Sequence, residues 1–409
     1  MTAAAIGSNP SRPLPLVAVV AANVVSLTGS MLTTVAVPWF VLVTTGSALE
    51  TGITGAVIVL PIVIAGIFGG TLVDRLGFKE TSVLSDLLSG GAIVLIPVLY
   101  HTVGLAFWEL LLLLFLSKLL GGPGTTARRS LVPDLAGLAA LPLERANAAV
   151  GVGANASNLL GPVLAGVLIA LLGASNVLVV DAATFGVSAL LIGAAIPSTR
   201  ALRQPSRTRS SYFRELGVGL AYLRRDGLLL VLALISAAAN FVMVPLFAVV
   251  LPVYAKQVFG SAVALGVILG ATGAGTLAGT LLYGLLALRL PRRGTYFTAF
   301  LVVGGVTMAL AALPGVLVVA AILAVAGLAA APLNPLLQTF VQERVTPGLL
   351  GRVFGLVGAI SSVAAPLGLL VVGVLLQVAG LRITLICVNG LLLVIALGVV
   401  VLPSLRELG

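Results

Sequence analysis

Charge is what this sequence has least of. Only 8% of its 409 residues are Asp, Glu, Lys or Arg and 60% are hydrophobic, whereas roughly a quarter of a soluble domain is charged. A mean hydropathy of +1.23 therefore excludes a water-soluble fold and puts the chain in a bilayer. Cys387 is the only cysteine, which rules out intrachain disulfides and paired-cysteine metal or redox sites. His101 is the only histidine, so no zinc cluster can be built from histidines. No G-x-x-x-x-G-K-[ST] loop occurs, which removes ATP hydrolysis as an engine. An enzyme inside the membrane would lack its nucleophile, its metal and its histidine pair, and no cofactor is implied.

What the chain has instead is long apolar runs. A spanning helix needs about 20 mostly apolar residues. Twelve segments qualify, with cores at 15–43, 52–73, 82–100, 104–126, 145–172, 176–197, 227–254, 262–288, 295–313, 315–338, 349–378 and 382–402. The first is too long for a signal-peptide core of about 7–15 residues and reads as a retained span. Alternate loops differ in charge. One set holds Arg75, Lys79, Arg128, Arg129, the arginines from Arg200 to Arg225, Arg289, Arg292, Arg293, Arg344 and Arg352; the other holds Lys256 and Arg382. The positive-inside rule makes the first set, and both termini, cytoplasmic. The net charge of +10 is thus spent at the membrane surface and gives no reason to expect nucleic acid.

The longest polar stretch, IPSTRALRQPSRTRSSYFREL from Ile196, falls at the middle of the chain. It divides the chain into 1–198, a basic linker at 199–225 that ends in an interfacial helix, and 226–409. GSALETG from Gly46 echoes GSAVALG from Gly260, an offset of 214 (260 − 46), and GGTLVD from Gly69 echoes AGTLLY from Ala278. Parallel six-span repeats with a substrate site between them characterise one large transporter architecture.

The residues between spans two and three carry the resemblance. Gly70, Leu72, Asp74, Arg75, Gly77 and Lys79 match the G-x-L-a-D-R-x-G-R-K loop of the major facilitator superfamily, with Phe78 in place of one basic residue. The chain therefore resembles that family. The resemblance implies an all-α membrane protein with twelve transmembrane helices in two six-helix bundles and cytoplasmic termini. It also implies a cytoplasmic gate formed by Asp74 and Arg75 with Gly70, Gly77 and Lys79, because a carboxylate is favoured at a helix N-terminus and beside a guanidinium. The plainer reading of Asp74 is a helix cap. The second half has Tyr283 where the first has Asp74.

Lys118, Gly122 and Gly124 resemble the family's R-x-x-Q-G-x-G, departing at Lys118 and Gly121. A cation in a span is a functional candidate by default; Lys118 also lies near enough to the span end to snorkel. Gly153, Ser157, Gly161, Pro162 and Gly166 resemble the glycine-rich span-five motif of exporters, where small residues let another helix approach. Asn155 and Asn158 lie on nearly the opposite face and either line a cavity or bond between helices. VVDAATFGVSALL from Val179, YFRELGVGLAYLRR from Tyr212 and QERVTPGLLGRVFG from Gln342 point to the drug and macrolide efflux branch, which also contains siderophore exporters. Members often carry Gly-Asp in span one; here the pair is Gly29-Ser30.

Proton coupling needs a group whose proton affinity changes between states, and a carboxylate in low dielectric is the usual choice. Asp181, Glu109 and Asp86 are the acids within spans, with Lys118 as a further candidate. Asp181 serves as coupler or as a partner for a neighbouring span; Glu109 serves as coupler, outer gate or helix end. Asn23, Ser26, Ser30 and Thr33 form a polar stripe on span one and, with Asn240 and Trp39, are candidate cavity residues. The expected protein is a monomeric, proton-exchanging drug exporter of the cytoplasmic membrane whose partners are a small-molecule substrate, protons and lipid. A dedicated metabolite or siderophore exporter and an uncoupled facilitator are the alternatives.

Overall fold

The computed structural model describes residues 13–196, 221–223, 225–346 and 349–401, with side chains except at 62–75, 351 and 352. Every regular element among the described residues is helical. The first half contributes α1 (Leu14–Thr45), α2 (Ala48–Leu76), α3 (Phe78–Thr102), α4 (Phe107–Leu138), α5 (Leu143–Leu172) and α6 (Ala174–Ala195). The second contributes α7 (Gly227–Phe259), α8 (Ala262–Leu286), α9 (Arg292–Met308), α10 (Val316–Ala330), α11 (Leu333–Arg344) and α12 (Leu350–Val401). Ten stretches of helix are long and apolar enough to cross a membrane among the described residues. The last of them, within α12, is broken at Gly380, whose φ is 79°, so the break falls between the eleventh and twelfth expected cores.

Turn chemistry explains the echo between the halves. α1 stops at Gly46 (φ 70°) and α7 at Gly260 (φ 63°), a conformation that costs glycine little and other residues more. The serine after each glycine caps the next helix: Ser47 Oγ accepts from the Glu50 N–H at 3.1 Å and Ser261 Oγ from the Ala264 N–H at 3.3 Å. This is a serine N-cap satisfying the third free N–H of a helix, built twice.

Two boundaries differ from expectation. The charged stretch after span two is not a loop: α2 continues through Asp74 and Arg75 to Leu76, Gly77 turns the chain with φ 98°, and α3 begins at Phe78. The side chains of Gly70, Asp74 and Arg75 lie outside the described residues. α4 runs to Leu138 rather than ending near 126, continuing through Pro123 and Pro133. Arg128, expected among the loop arginines, is consequently a helical residue and only 4% exposed. In α7 the regular bonding is interrupted by π turns at Leu246–Val250 and Ala255–Phe259. Pro245 and Pro252 lie beside them, and a proline removes an N–H from the ladder. The basic linker falls almost wholly outside the described residues. Of its predicted interfacial helix, Tyr222 donates to the Arg344 carbonyl at 2.6 Å and Leu223 is buried against α7, α11 and α12.

The chain folds into two compact units. The first takes the described residues of Met1–Met31, Ile64–Asn158 and Leu178–Pro205. Its apolar core joins Leu16, Val19 and Ala22 of α1 to Leu131 and Leu135 of α4 and Ile192 of α6. The second takes those of Leu32–Val63, Leu159–Val177 and Ser206–Gly409, so the ends of α1, α2 and α5 pack with the second-half helices. Glycines make this possible. A Cβ on Gly52 of α2 would lie 2.5 Å from the Leu369 carbonyl oxygen and 3.1 Å from the Gly373 Cα of α12. A Cβ on Gly266 of α8 would lie 2.7 Å from the Pro162 carbonyl oxygen and 3.0 Å from the Gly166 Cα of α5. Gly52 and Gly266 are 214 positions apart (266 − 52), the offset of the sequence echo. Lys256 donates to the Leu42 carbonyl, again 214 apart; equivalent positions of the two repeats touch. Bilayer-facing leucines complete the picture, among them Leu190 at 73% and Leu285 at 80% exposed.

Candidate functional site

Within the first unit, α3 carries a polar stripe, Ser82, Ser85, Asp86 and Ser89, all buried. The spacing of three, one and three keeps them on one helical face. That face meets Arg128 of α4. The Arg128 Nη1 group donates to Asp86 Oδ1 at 2.7 Å and Oδ2 at 2.9 Å, and to Ser82 Oγ at 3.4 Å. Ser188 of α6 donates to Asp86 Oδ2 at 2.6 Å, and Arg128 Nη2 reaches Ser26 Oγ of α1 at 3.5 Å. Four helices thus converge on one ion pair, with Asp86 1% exposed. The buried Arg128 Nε has no hydrogen-bond partner among the described residues.

A second acid lies on α6. Asp181 is fully buried; Thr184 Oγ1 donates to its carbonyl oxygen at 2.7 Å and lies 3.3 Å from its Oδ1. Lys118 of α4, half-buried, is within electrostatic reach of Asp181. α1 presents Gly29 to this acid: a Cβ there would fall 2.4 Å from Asp181 Oδ1 and 2.0 Å from Thr184 Oγ1. The backbone beside Ser30 therefore faces a carboxylate delivered by α6.

The two acids differ in chemistry. Arg128 keeps its charge under all ordinary conditions, and its pair with Asp86 is short and bonded to both carboxylate oxygens. Asp181 instead has within electrostatic reach the single ammonium of Lys118 rather than a forked guanidinium.

The description "Major Facilitator Superfamily" matches residues 19–368 and 233–407, most of the chain. This chain belongs to the Major Facilitator Superfamily. It is 33% identical over 399 residues to the multidrug efflux pump Tap of Mycobacterium tuberculosis, covering 96% of this chain and 94% of that one. It is 25% identical over 360 residues to macrolide efflux protein A of Streptococcus pyogenes, covering 86% of each. Among solved structures, the nucleoside transporter NupG superposes with a TM-score of 0.78 at 11% identity, over 94% of this chain and 98% of that one. A bacterial homolog of the human lysosomal transporter Spinster, inward-facing and unoccupied, superposes with a TM-score of 0.75 at 15% identity, over 98% of each; both likenesses speak to the fold. The chain is accordingly a multi-pass transporter of small molecules in the cytoplasmic membrane, and not an enzyme.

The superfamily's span-five motif packs in two directions. Gly153 leaves no room for a Cβ beside Val24 of α1, which would stand 2.4 Å away. Ser157 Oγ lies 3.0 Å from Thr28 Oγ1 and 3.3 Å from the Val24 carbonyl oxygen. Pro162 and Gly166 form the crossing with Gly266, and Gly161 is buried between the two contacts. The opposite face, with Asn155 and Asn158, is exposed. On α1 the stripe Asn23, Ser26 and Thr33 is buried, with Ser30 partly so; Ser26 is engaged by Arg128. Asn240 donates to the Ser361 carbonyl at 2.9 Å, joining α7 to α12. Trp39 is 9% exposed and packs in the second unit, apart from that stripe's contact with Arg128. Glu109 accepts from the Ala106 N–H at 2.9 Å and so stands at the start of α4, not with Asp181. Of the residues expected at a gate whose side chains are described, Gly77 supplies the turn and Lys79 donates to the Ile196 carbonyl at 2.6 Å, capping α6, where a cation is favoured.

Arg128, Ser82, Ser188 and Thr184 were not singled out from the sequence. The signal for them was present in S-x-x-S-D-x-x-S from Ser82, a polar helical stripe that needs a polar partner in a membrane.

Proposed function

We propose that the chain is a twelve-span exporter of small amphipathic compounds that alternates access between residues 1–198 and 226–409, with both termini cytoplasmic, in exchange for protons. Export rests on one observation: the likeness to two efflux proteins runs along nearly the whole chain. The count of twelve takes the ten apolar stretches, adds α2 and divides α12 at Gly380. The cytoplasmic side is assigned by the arginine-rich loops, and the protein works as a monomer.

Coupling is assigned to Asp181 with Lys118. In the state open outward the acid takes a proton; in the state open to the cytoplasm it releases the proton and Lys118 compensates the negative charge. Asp86 with Arg128 keeps α1, α3, α4 and α6 in register while this happens. Asp74 and Arg75, with Gly70, Gly77 and Lys79, gate the cytoplasmic side. Asn23, Ser26, Ser30, Thr33, Asn155, Asn158, Asn240 and Trp39 supply polar and aromatic surface to the route. Glu109 serves the N-terminal cap of α4 before any role in coupling. A dedicated metabolite or siderophore exporter, or an uncoupled facilitator, is the second reading. It is favoured by Ser30 standing where related proteins often carry an acid, and opposed by Asp181 lying against Gly29.

The test is reconstitution in liposomes with a panel of cationic and neutral fluorescent amphiphiles, with and without a pH gradient. Gradient-driven movement of several unrelated dyes that Asp181→Asn reduces to the gradient-free rate is the expected result. Equal movement without a gradient would leave an uncoupled facilitator. Movement of no dye would point to a narrow natural substrate.

A further inference from the structure

The end of α8, the start of α9 and the end of α10 enclose a groove of about 170 Å³ in the second unit. It is smaller than the 300–1,000 Å³ of a pocket for a drug-sized ligand. Its walls are apolar: Leu282, Tyr283 and Leu286 on α8, Val302 on α9 and Leu328 on α10, with Thr298 at the side. Tyr283 stands at the position the sequence echo equates with Asp74, so the second half has a greasy slot where the first half has an acid.

Beside the groove, the turn between α8 and α9 carries Arg289, Arg292 and Arg293. Two of these are committed. Arg292 holds Glu343 through two bonds of 2.6 and 2.8 Å and lies 5.6 Å from the Phe340 ring centre; Arg293 donates to the Val400 carbonyl at 2.6 Å. Arg289 is exposed and its side chain makes no hydrogen bond or ion pair among the described residues. Because the helices on both sides of this turn are membrane spans, the turn belongs to the bilayer surface, and Arg289 precedes Leu290 of the groove wall by one residue.

An uncommitted guanidinium one residue from the wall of an apolar slot too small for a drug complements a molecule with an anionic head and a hydrocarbon tail. The membrane supplies such molecules. We propose that this is a binding site for one anionic phospholipid, its phosphate at Arg289 and part of one acyl chain along Leu282, Leu286 and Val302. The proposal depends on the membrane setting alone and not on what the protein exports.

The purified full-length protein is titrated with phosphatidylglycerol and phosphatidylcholine of the same chain length, and bound lipid is counted by native mass spectrometry. One phosphatidylglycerol is expected to be retained about fivefold more tightly than phosphatidylcholine, the worth of one basic residue near an anionic headgroup. Arg289→Gln should remove that preference while leaving weak retention of both lipids. Thr298→Phe and Leu282→Trp, which fill the groove from opposite walls, should lower retention of both lipids alike, and having two such variants protects the test if one folds poorly. Equal retention of the two lipids by the unsubstituted protein would overturn the proposal, as would an undiminished preference in Arg289→Gln. Glycerol phosphate displacing phosphatidylglycerol as well as the intact lipid does would mean a headgroup site without the groove, and would also overturn it.

Discussion

Helices α3 and α4 enclose an ion pair, Asp86 with Arg128, whereas α9 and α12, a packed pair in the second half, enclose Asn389 donating to the Thr307 carbonyl at 3.0 Å. The contrast extends through each half. Among the described residues, the buried charges Asp86, Arg128 and Asp181 all belong to the first half, and the buried polar residues of the second are Thr307, Ser361, Thr384 and Asn389. Burying an ion is costly unless it is paired and hydrogen-bonded, and in a membrane it is a mark of function. Among the described residues that mark falls on the first half alone.

What the halves share is the glycine crossing. Gly52 on Gly373 and Gly266 on Gly166 are the same contact built twice, and neither depends on charge. Lipid tails are as apolar as leucine, so helices in a bilayer gain from close backbone approach rather than from burying apolar surface. The repeated feature is thus the one the membrane rewards everywhere, and the unrepeated feature is the buried charge.

The sharpest way to break this contrast is Asp86→Ala. It leaves Arg128 buried without its partner and should cost about 3–5 kcal/mol, read as a large fall in the unfolding midpoint in detergent. Replacing both residues, Asp86→Leu with Arg128→Met, should recover much of the stability, and a failure to recover would mean that the serines around the pair matter more than the charges. Gly266→Ala comes next. The added methyl meets backbone of Pro162 and Gly166 and should cost about 1–3 kcal/mol by overpacking, with Gly52→Ala behaving alike if the halves are truly equivalent there. Asn389→Leu should cost only about 1 kcal/mol, the worth of one hydrogen bond; a loss as large as that of Asp86→Ala would erase the distinction between the halves. The smallest effect is expected from Arg292→Gln, whose pair with Glu343 is nearly half exposed at 43% and 49%. It should cost at most about 1 kcal/mol and less in high salt.

Much of the architecture was legible because it is local. Spans follow from apolar length, and the turns at Gly46 and Gly260 follow from glycine and serine chemistry within a few residues. The face of α5 that packs, Gly153 and Ser157, was legible from the resemblance to a glycine-rich exporter motif taken with the helical period. The ends of α2 and α4 were not, because a charged residue reads as a loop until something is found to bury or solvate it. Glu109, for which the sequence left coupler, outer gate and helix end open, caps the start of α4.

By itself the sequence determined that this protein lives in a bilayer, where its helices run, where they turn and which positions are small enough for close crossing. Those depend on composition and on neighbours within one or two turns. Only the tertiary structure decided what the charges do. Arg128 and Arg129 are adjacent, yet one is 4% exposed and paired while the other is exposed. At 3.6 residues per turn, one step along a helix rotates a side chain by about 100°, and which of the two faces Asp86, 42 positions away, is settled by how α3 and α4 pack together.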